Sequence, residues 1–451
     1  MKTLRLANFG MQGMVGEALT PEIVIDFAAA FGTFLNREVV LVGRDTRQSS
    51  KMLRSAVIAG LTSTGCKVLD FGVCPTPMLQ YSTERYSAAG AVSISGGHNP
   101  MGWNSVQLIS STGAFIEPVG GDTVLDIYHG RDFERAAWNT IGDVEEINDF
   151  TGPYFDALLE FFDTDAIRSA DFSAVIDPVN GAGCRFVEPF SKRLGVTTIP
   201  INHEESGYLA HEPEPRPRNA RQVANLMNVV PSNIGFVASS DMGRLSIVSE
   251  LGETASEEYT FSIIANHVLG KQSGAVVTNC CTTRTIDEIA ARHGSDVVKT
   301  RVGQAYILSA LADEQGVLGG EGNGSVAMPA FSRAFDAFLM MGLIFEAMAT
   351  GGARASELVA ALPRYHMAKR KVSGESHRCY QAIDRLSHNE TWSGGGTAST
   401  VDGLRVDWKD GWIHLRASQT EPIVRVISES NSREVAENRA DEATRLLEHA
   451  L

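Results

Sequence analysis

A short segment near the carboxyl end of the chain combines residue types that bind phosphate. It reads Arg416-Ala417-Ser418-Gln419-Thr420-Glu421-Pro422, with Arg425 three residues further on. Each arginine can donate two parallel hydrogen bonds to an anion, and the hydroxyls of Ser418 and Thr420 with loop amides, as at Gln419, can fill the remaining phosphate oxygens. The segment predicts a phosphate site, and the alternative is a strand-to-strand turn with surface arginines.

Three other loops carry polar groups that could serve the same ligand. They are Ser95-Gly96-Gly97-His98-Asn99-Pro100, Ser239-Ser240-Asp241-Met242-Gly243-Arg244 and Gly319-Gly320-Glu321-Gly322-Asn323-Gly324-Ser325. In the first, His98 is a chemically competent phosphoryl acceptor, while Gly97 has no side chain to carry a phosphoryl group. In the second, Asp241 is a lone loop carboxylate that solvent could simply cover, and Arg244 could point into a cleft. In the third, Glu321 could be an exposed acid in a turn.

The elements that must position these loops alternate between strands and helices. Apolar runs predict buried strands at 38–43, 67–71 and 89–94. One helix is expected to begin at Pro21 with the hydroxyl of Thr20 as its cap, and Ser49 or Ser50 can cap the next helix. The same alternation recurs over 174–194 and 274–299. Such alternation is typical of a parallel α/β layer, in which ligands bind at the carboxyl ends of the strands.

The pattern changes after Leu362. Strand-like segments are predicted at 404–408, 412–416 and 423–428, around a turn at 409–411. A final helix, capped by Ser432, would place its apolar residues on one face, at Val435, Ala436, Ala440, Ala443 and Leu447. This end of the chain therefore forms an α+β domain of a different kind.

Composition limits the classes of partner. The chain has 451 residues, a net charge of −15, 43% hydrophobic and 21% charged residues. This length predicts three or four domains, and no apolar run approaches the roughly 20 residues that span a bilayer. The acidic balance argues against a nucleic-acid partner but leaves room for a local basic cleft. Six scattered cysteines and the absence of a signal-like start predict a reduced cytoplasmic protein with no membrane partner.

Nearly the whole chain resembles the α-D-phosphohexomutases, which are the phosphoglucomutases, phosphomannomutases and phosphoglucosamine mutases. The opening Phe9-Gly10-Met11-Gln12-Gly13-Met14-Val15-Gly16 is similar to the family's F-G-T-D-G-I-R-G, and Gly43-Arg44-Asp45-Thr46-Arg47 and Pro75-Thr76-Pro77-Met78-Leu79 are similar to later landmarks. The resemblance implies three similar α/β/α domains with mixed or mostly parallel sheets and a C-terminal α+β domain around a central cleft. The implied domains are 1–150, 151–252, 253–364 and 365–451.

In two loops the resemblance implies lost catalytic groups. The first loop is similar to the family's T-A-S-H-N-P, so His98, Asn99 and Pro100 match while the phosphorylated serine falls on Gly97. The second is similar to D-G-D-G-D-R, whose three aspartates and phosphoserine hold one Mg²⁺ in the family. Here the first and third aspartates fall on Ser239 and Gly243, so Asp241 alone remains as a weak metal ligand.

The other two loops keep the family's binding groups. Glu321 matches the glutamate with which the family binds two sugar hydroxyls, and Asn323 can replace the hydrogen bonds of a serine. The segment from Arg416 is similar to R-A-S-G/N-T-E-P. The resemblance also implies a basic residue at each of three positions where this chain has none, namely Val15, Gln107 and Ala305.

Two functions follow from this pattern of losses and retentions. The first is a protein that binds phosphorylated hexoses but transfers phosphoryl weakly or not at all, and that could regulate or pair with a catalytically active relative. The second is a working hexose-phosphate mutase with Ser95 or His98 as the acceptor, since Ser95 would share the side of Gly97 if the strand continued. The family implies Mg²⁺, and an active enzyme would need a hexose 1,6-bisphosphate activator.

Overall fold

The computed structural model describes residues 4–7, 9–313, 315–388, 392, 394–418 and 422–451. Contacts within the chain define two units. Unit 1 consists of Met1–His267 and Asn323–Ala360, and unit 2 of Val268–Gly322 and Ala361–Leu451.

Unit 1 begins with a seven-stranded mixed sheet. Its strands are β1 (Arg5–Ala7), β2 (Gly10–Met14), β3 (Val39–Arg44), β4 (Lys67–Val73), β5 (Gly90–Ile94), β6 (Trp103–Ser110) and β7 (Val144–Glu146). Its helices are α1 (Pro21–Phe34), α2 (Gln48–Ser63), α3 (Thr76–Arg85) and α4 (Pro118–Gly130). The order is β1-β2-β6-β5-β3-β4-β7, with β3 parallel to β4 and β5. The three predicted strands of this region are confirmed as β3, β4 and β5.

The predicted start of α1 is confirmed, but the side chains predicted to cap α1 and α2 do not cap them. α1 begins at Pro21, yet the hydroxyl of Thr20 makes no hydrogen bond to the helix backbone. α2 begins before either Ser49 or Ser50, so the prediction of a serine cap there is wrong. The Ser50 hydroxyl instead donates to Asp45 Oδ1 at 2.5 Å. The Ser50 hydroxyl, which was expected to cap the helix, therefore binds the buried Asp45 carboxylate instead.

A second sheet in unit 1 has four strands. They are β8 (Ser173–Asp177), β9 (Thr197–Pro200), β10 (Ile234–Ala238) and β11 (Leu245–Ser249), with helices α5 (Thr151–Phe161), α6 (Thr164–Ser169), α7 (Val187–Leu194) and α8 (Arg221–Met227). The order is β11-β10-β8-β9, and β8 is parallel to both of its neighbours. The tight turn between β10 and β11 carries Asp241.

The next segment alternates helix and strand. It contains α9 (Glu257–Lys271), β12 (Val276–Asn279), α10 (Thr285–Arg292), β13 (Val297–Thr300), α11 (Gln304–Asp313) and β14 (Leu318–Glu321). In unit 2, β12 lies between β13 and β14 and is parallel to both. The chain then returns to unit 1 with β15 (Ser325–Ala327), α12 (Ala337–Gly351) and α13 (Ala355–Ala360).

Unit 2 ends with a five-stranded antiparallel sheet and two helices. The elements are β16 (His366–Ser373), α14 (Ser376–Ser387), β17 (Thr397–Ser399), β18 (Leu404–Trp408), β19 (Gly411–Ala417), β20 (Ile423–Ser430) and α15 (Arg433–Ala450). The order is β16-β20-β19-β18-β17. Ser432 caps α15 by accepting from Val435 N, as predicted, and Ala436, Ala440, Ala443 and Leu447 are buried on one helix face.

The fold class predicted from the sequence is confirmed, since α/β layers precede a C-terminal α+β region. Over the described part of the chain, no helix is both long and apolar enough to cross a membrane.

Candidate functional site

The loop after β5 turns sharply at Gly97. β5 ends at Ile94, and Gly97 has a φ of +52°, in the left-handed region that favours glycine. The strand therefore does not continue to Gly97, so the condition under which Ser95 would share the side of Gly97 is not met. Ser95 is buried, its hydroxyl donates to Asp45 Oδ2 at 2.8 Å, and it accepts from Gly97 N at 3.1 Å. His98 is exposed on the turn.

A fully buried arginine, Arg47, fixes this loop against the turn between β10 and β11. Its Nη1 donates to Asp45 and, at 2.9 Å, to Ser240 Oγ. Its Nη2 donates to the carbonyl oxygens of Gly97 at 3.2 Å and Asn99 at 2.8 Å. Ser240 Oγ in turn donates to the Gly97 carbonyl at 2.8 Å. The two loops that resemble the family's nucleophile and metal loops are thus held together by one hydrogen-bond network.

The turn between β10 and β11 is organised by Ser239. The Ser239 hydroxyl accepts from Gly243 N at 3.2 Å and Arg244 N at 3.0 Å, and it donates to Asp241 Oδ1 at 2.5 Å. A β-carbon added at Gly97 would lie 3.0 Å from Asp241 Oδ2. The two positions therefore face each other directly, although neither a hydroxyl nor a second carboxylate is present between them.

The donor set at this turn does not fit Mg²⁺. Mg²⁺ gives up its water ligands reluctantly and is held by carboxylates together with phosphate oxygens. Here Asp241 supplies the only loop carboxylate, and one of its oxygens already accepts from Ser239 and Gly243 N. Among the described residues, no group of three His, Cys, Asp or Glu side chains comes together as metal ligands.

The remaining predicted residues of unit 1 lie in loops and turns. Arg244 Nη1 lies 3.5 Å from Glu214 Oε1, so its charge is partly balanced. Asn99 Nδ2 donates to the Gly96 carbonyl at 3.0 Å, which closes its own turn. Asn323 Oδ1 accepts from Ser325 N at 3.2 Å.

In unit 2, Glu321 is buried and oriented by a residue that the sequence analysis missed. Asn279 Nδ2 donates to Glu321 Oε1 at 2.9 Å. Asn279 Oδ1 accepts from Cys281 N at 2.8 Å, so the amide orientation is fixed by the turn after β12. Asn279 is the last residue of β12, a strand parallel to β14, and this strand-end position is the signal that could have identified it.

Strand register places three basic residues in one row across the antiparallel sheet. Arg416 on β19 lies opposite Arg425 on β20, which lies opposite Lys371 on β16. Directly opposed side chains share a face of the sheet, and like charges in that arrangement destabilise it unless an anion balances them. Arg425 and Lys371 are exposed. Lys371 was not predicted, because nothing in its local sequence indicates that β16 would pair with β20.

The loop that follows Arg416 is only partly described. Ser418 is buried, and its backbone N–H donates to the Ile423 carbonyl at 2.9 Å, which closes the hairpin. Gln419 and Thr420, both predicted phosphate ligands, lie outside the described residues. Arg416 Nε donates to Asp402 Oδ2 at 2.9 Å.

Sheets with helices in an α/β arrangement, followed by an antiparallel C-terminal sheet, define a multidomain α/β protein. Family models match almost the whole chain and bear the description phosphoglucomutase/phosphomannomutase. They cover alpha/beta/alpha domain I at residues 6–135, domain II at 152–252, domain III at 256–365 and the C-terminal domain at 367–446. The chain belongs to this phosphohexomutase family.

Relatives and solved structures agree with that assignment. The chain is 34% identical over 453 residues to a phosphoglucomutase/phosphomannomutase of Thermococcus kodakarensis, covering 98% of each chain. It is 32% identical to a probable phosphoglucosamine mutase of Pyrococcus abyssi, covering 98% of this chain and 97% of the relative.

Two solved structures share the fold. A phosphoglucomutase/phosphomannomutase family protein of Burkholderia thailandensis superposes with a TM-score of 0.85 at 22% identity, covering 99% of this chain and 98% of that one. An N-acetylphosphoglucosamine mutase of Aspergillus fumigatus, solved with glucose 1,6-bisphosphate, superposes with a TM-score of 0.60 at 14% identity, covering 100% and 96%.

Proposed function

We propose that this protein binds phosphorylated hexoses through its C-terminal sheet and that its transfer of phosphoryl between the 1- and 6-positions is weak or lost. The observation that carries the binding half is the row formed by Arg416, Arg425 and Lys371. The observation that carries the loss is the position of Gly97 opposite Asp241.

The basic row supports phosphate capture for an electrostatic reason. Arg416 and Arg425 oppose each other in register, and Lys371 extends the row by one strand. A phosphate dianion would balance this charge and accept bidentate hydrogen bonds from a guanidinium group. The hydroxyl of Ser418 and the residues Gln419 and Thr420 are proposed as further ligands of the same phosphate.

The sugar half of the proposal depends on Glu321. Its Oε1 is engaged by Asn279 at 2.9 Å, which would hold the carboxylate in a fixed orientation toward hydroxyl donors of a hexose. Related structures support this class of ligand, since one N-acetylphosphoglucosamine mutase was solved with GlcNAc-6P and magnesium and another structure of that enzyme with glucose 1,6-bisphosphate.

Loss of transfer follows from what surrounds Gly97. Phosphoryl transfer depends almost entirely on positioning and on stabilisation of the charge on the transferred group. An acceptor atom is absent at Gly97, and Ser239 and Gly243 replace the two carboxylates that would accompany Asp241. Ser239 keeps the shape of the turn, because its hydroxyl accepts two backbone N–H groups, but it supplies no negative charge for a metal.

The two substitute acceptors considered from the sequence have weak support. Ser95 is buried, and its hydroxyl is committed to Asp45. His98 is exposed, and reaching it would leave the transferred group without the metal and carboxylates that assist the reaction in the family. An active enzyme that uses either residue is therefore the less supported function.

The test combines activity with binding on the full-length protein. We expect that glucose 6-phosphate raises the melting temperature, while a coupled assay with glucose 1-phosphate, glucose 1,6-bisphosphate and Mg²⁺ detects no mutase turnover. Turnover at a rate typical of enzymes, above about 1 per second, would contradict the proposed loss. An unchanged melting temperature with all hexose phosphates tested would contradict the proposed binding.

A matched pair of variants tests whether the basic row is the binding surface. Arg425→Gln removes one charge from the row. Arg370→Gln removes a charge from the neighbouring residue of Lys371 on β16, where Arg370 Nε pairs with Asp441 at 2.9 Å on the other face of the sheet. We expect Arg425→Gln to weaken glucose 6-phosphate binding by at least about tenfold, as loss of a charge-assisted hydrogen bond does, and Arg370→Gln to leave it unchanged.

A further inference from the structure

One face of β19 carries both an imidazole and the arginine of the proposed phosphate site. Residues two apart on a strand point to the same face, so His414 and Arg416 lie side by side. The intervening Leu415 points to the opposite face, into the apolar core beneath the helices. His414 is almost completely buried, whereas Arg416 is partly exposed, with 18% of its side chain accessible.

Both residues contact Asp402, at the turn before β18. His414 Nε2 lies 2.5 Å from the Asp402 backbone carbonyl, and Arg416 Nε lies 2.9 Å from Asp402 Oδ2. Asp402 Oδ2 also accepts from Val302 N at 2.9 Å. The imidazole thus fixes the backbone of the residue whose carboxylate holds the guanidinium group.

The second nitrogen of the imidazole is held by a thiol. Cys281 Sγ lies 3.0 Å from His414 Nδ1. A carbonyl oxygen can only accept, so Nε2 carries the proton, and Nδ1 of the neutral ring accepts from the Cys281 thiol. Burial lowers the pKa of His414 to about 4, and burial likewise raises the pKa of the Cys281 thiol. At neutral pH the pair is therefore a thiol and a neutral imidazole, which is unsuited to nucleophilic chemistry and suited to a fixed orientation.

We propose that His414, oriented by Cys281, is a positioning residue for Arg416: it fixes Asp402 so that the guanidinium group is presented to phosphate in one orientation. This inference rests on the proposed function, because it assigns a role within the same phosphate site. With Nε directed at Asp402, the two terminal nitrogens form the pair of donors directed at the phosphate. Asn279 ends β12 and Cys281 follows it in the turn, so this end of the strand orients both the proposed sugar-binding carboxylate and the proposed phosphate-binding arginine.

The expected effect is on affinity. A side chain that is ordered before binding loses less conformational freedom when the ligand arrives. Loss of the His414–Asp402 hydrogen bond would release Arg416 to other rotamers. We expect glucose 6-phosphate to bind about tenfold more weakly as a result, because the cost of ordering the arginine then falls on the binding step.

Two substitutions of His414 separate positioning from general packing. A glutamine side chain reaches as far as Nε2 and can donate to the Asp402 carbonyl, whereas an asparagine side chain reaches only as far as Nδ1 and cannot. We expect His414→Gln to keep the affinity for glucose 6-phosphate within about threefold of the wild type and His414→Asn to lose about tenfold, by isothermal titration calorimetry. Both variants bury an amide in place of the ring, and they differ in whether that amide reaches the Asp402 carbonyl.

Two results of this comparison would be decisive. Equal affinities for the two variants would overturn the inference while leaving the proposed function intact. A wild-type protein that binds no hexose phosphate would overturn the proposed function itself.

If His414→Asn does not fold, Asp402→Asn serves as the second variant, since its amide oxygen can still accept from Val302 N while the charge opposite Arg416 is removed. An unchanged affinity in Asp402→Asn would also overturn the inference, and a loss of about tenfold would support it.

Discussion

Substitution of Gly97 by alanine and by serine tests the geometry of the proposed transfer site. Gly97 has a φ of +52°, and an added β-carbon would meet Asp241 Oδ2 at 3.0 Å. A non-glycine residue in the left-handed region costs about 1–2 kcal/mol. The close contact requires a further small shift of the Asp241 carboxylate. We therefore expect Gly97→Ala to lower the free energy of unfolding by about 1–2 kcal/mol and the melting temperature by a few degrees.

The serine variant adds the hydroxyl that the resemblance implies at this position, and it imposes the same backbone cost. Its hydroxyl can donate to Asp241, so we expect its stability to equal or exceed that of the alanine variant. Without the carboxylates lost at Ser239 and Gly243, the new hydroxyl should remain unphosphorylated by glucose 1,6-bisphosphate and Mg²⁺. Differential scanning calorimetry and intact-mass spectrometry of both variants provide the assay. A phosphorylated serine variant with turnover would refute the reasoning, because it would show that the acceptor was the only missing group. An alanine variant as stable as the wild type would refute the assignment of strain to this turn.

Three further predictions concern the same unit. The double variant Ser239→Asp/Gly243→Asp should gain a melting temperature that rises with millimolar Mg²⁺, because three carboxylates then share one turn; a melting temperature insensitive to Mg²⁺ would contradict the convergence of these positions. Arg47→Ala should lower the free energy of unfolding in urea by about 3–5 kcal/mol, because it leaves a buried carboxylate without its ion-pair partner; a loss below about 1 kcal/mol would show that the network tying the two loops contributes little. Burial opposes protonation of His211, but its hydrogen bond to a buried aspartate and the charge of that group raise its pKa above the ordinary value of 6.5. The protonated His211 therefore adds stability that is fully present below the unfolded pKa and is lost as the pH rises through the higher folded pKa. We expect His211→Gln to remove part of the fall in stability that urea unfolding measures as the pH rises above about 6.5.

The sequence could predict those parts of the site that depend on contiguous motifs. Arg416 and Arg425 flank one hairpin, so a local segment contains both members of the opposed pair. The lone carboxylate at Asp241 could also be recognised, because Ser239 and Gly243, where the resemblance implies two further carboxylates, lie within the same short turn. The alternation of apolar runs with helical segments was sufficient to predict the strands that precede these loops.

Long-range pairing explains most of what the sequence could not predict. Lys371 joins the basic row only because β16 pairs with β20, an arrangement that local periodicity does not encode. Asn279 and Cys281 act on groups far along the chain, at Glu321 and His414. The condition attached to Ser95 fails for a local reason, because β5 ends at Ile94 and Gly97 has a positive φ, so the extended backbone does not continue between them.

The most direct test of the central claim is the intact mass of the wild-type protein after incubation with glucose 1,6-bisphosphate and Mg²⁺. We predict that the mass stays that of the unmodified chain, because Gly97 offers no acceptor hydroxyl and Asp241 is the single carboxylate of its turn. A mass increase by one phosphoryl group, lost again when glucose 6-phosphate is added and mapped to a single side chain, would contradict the account.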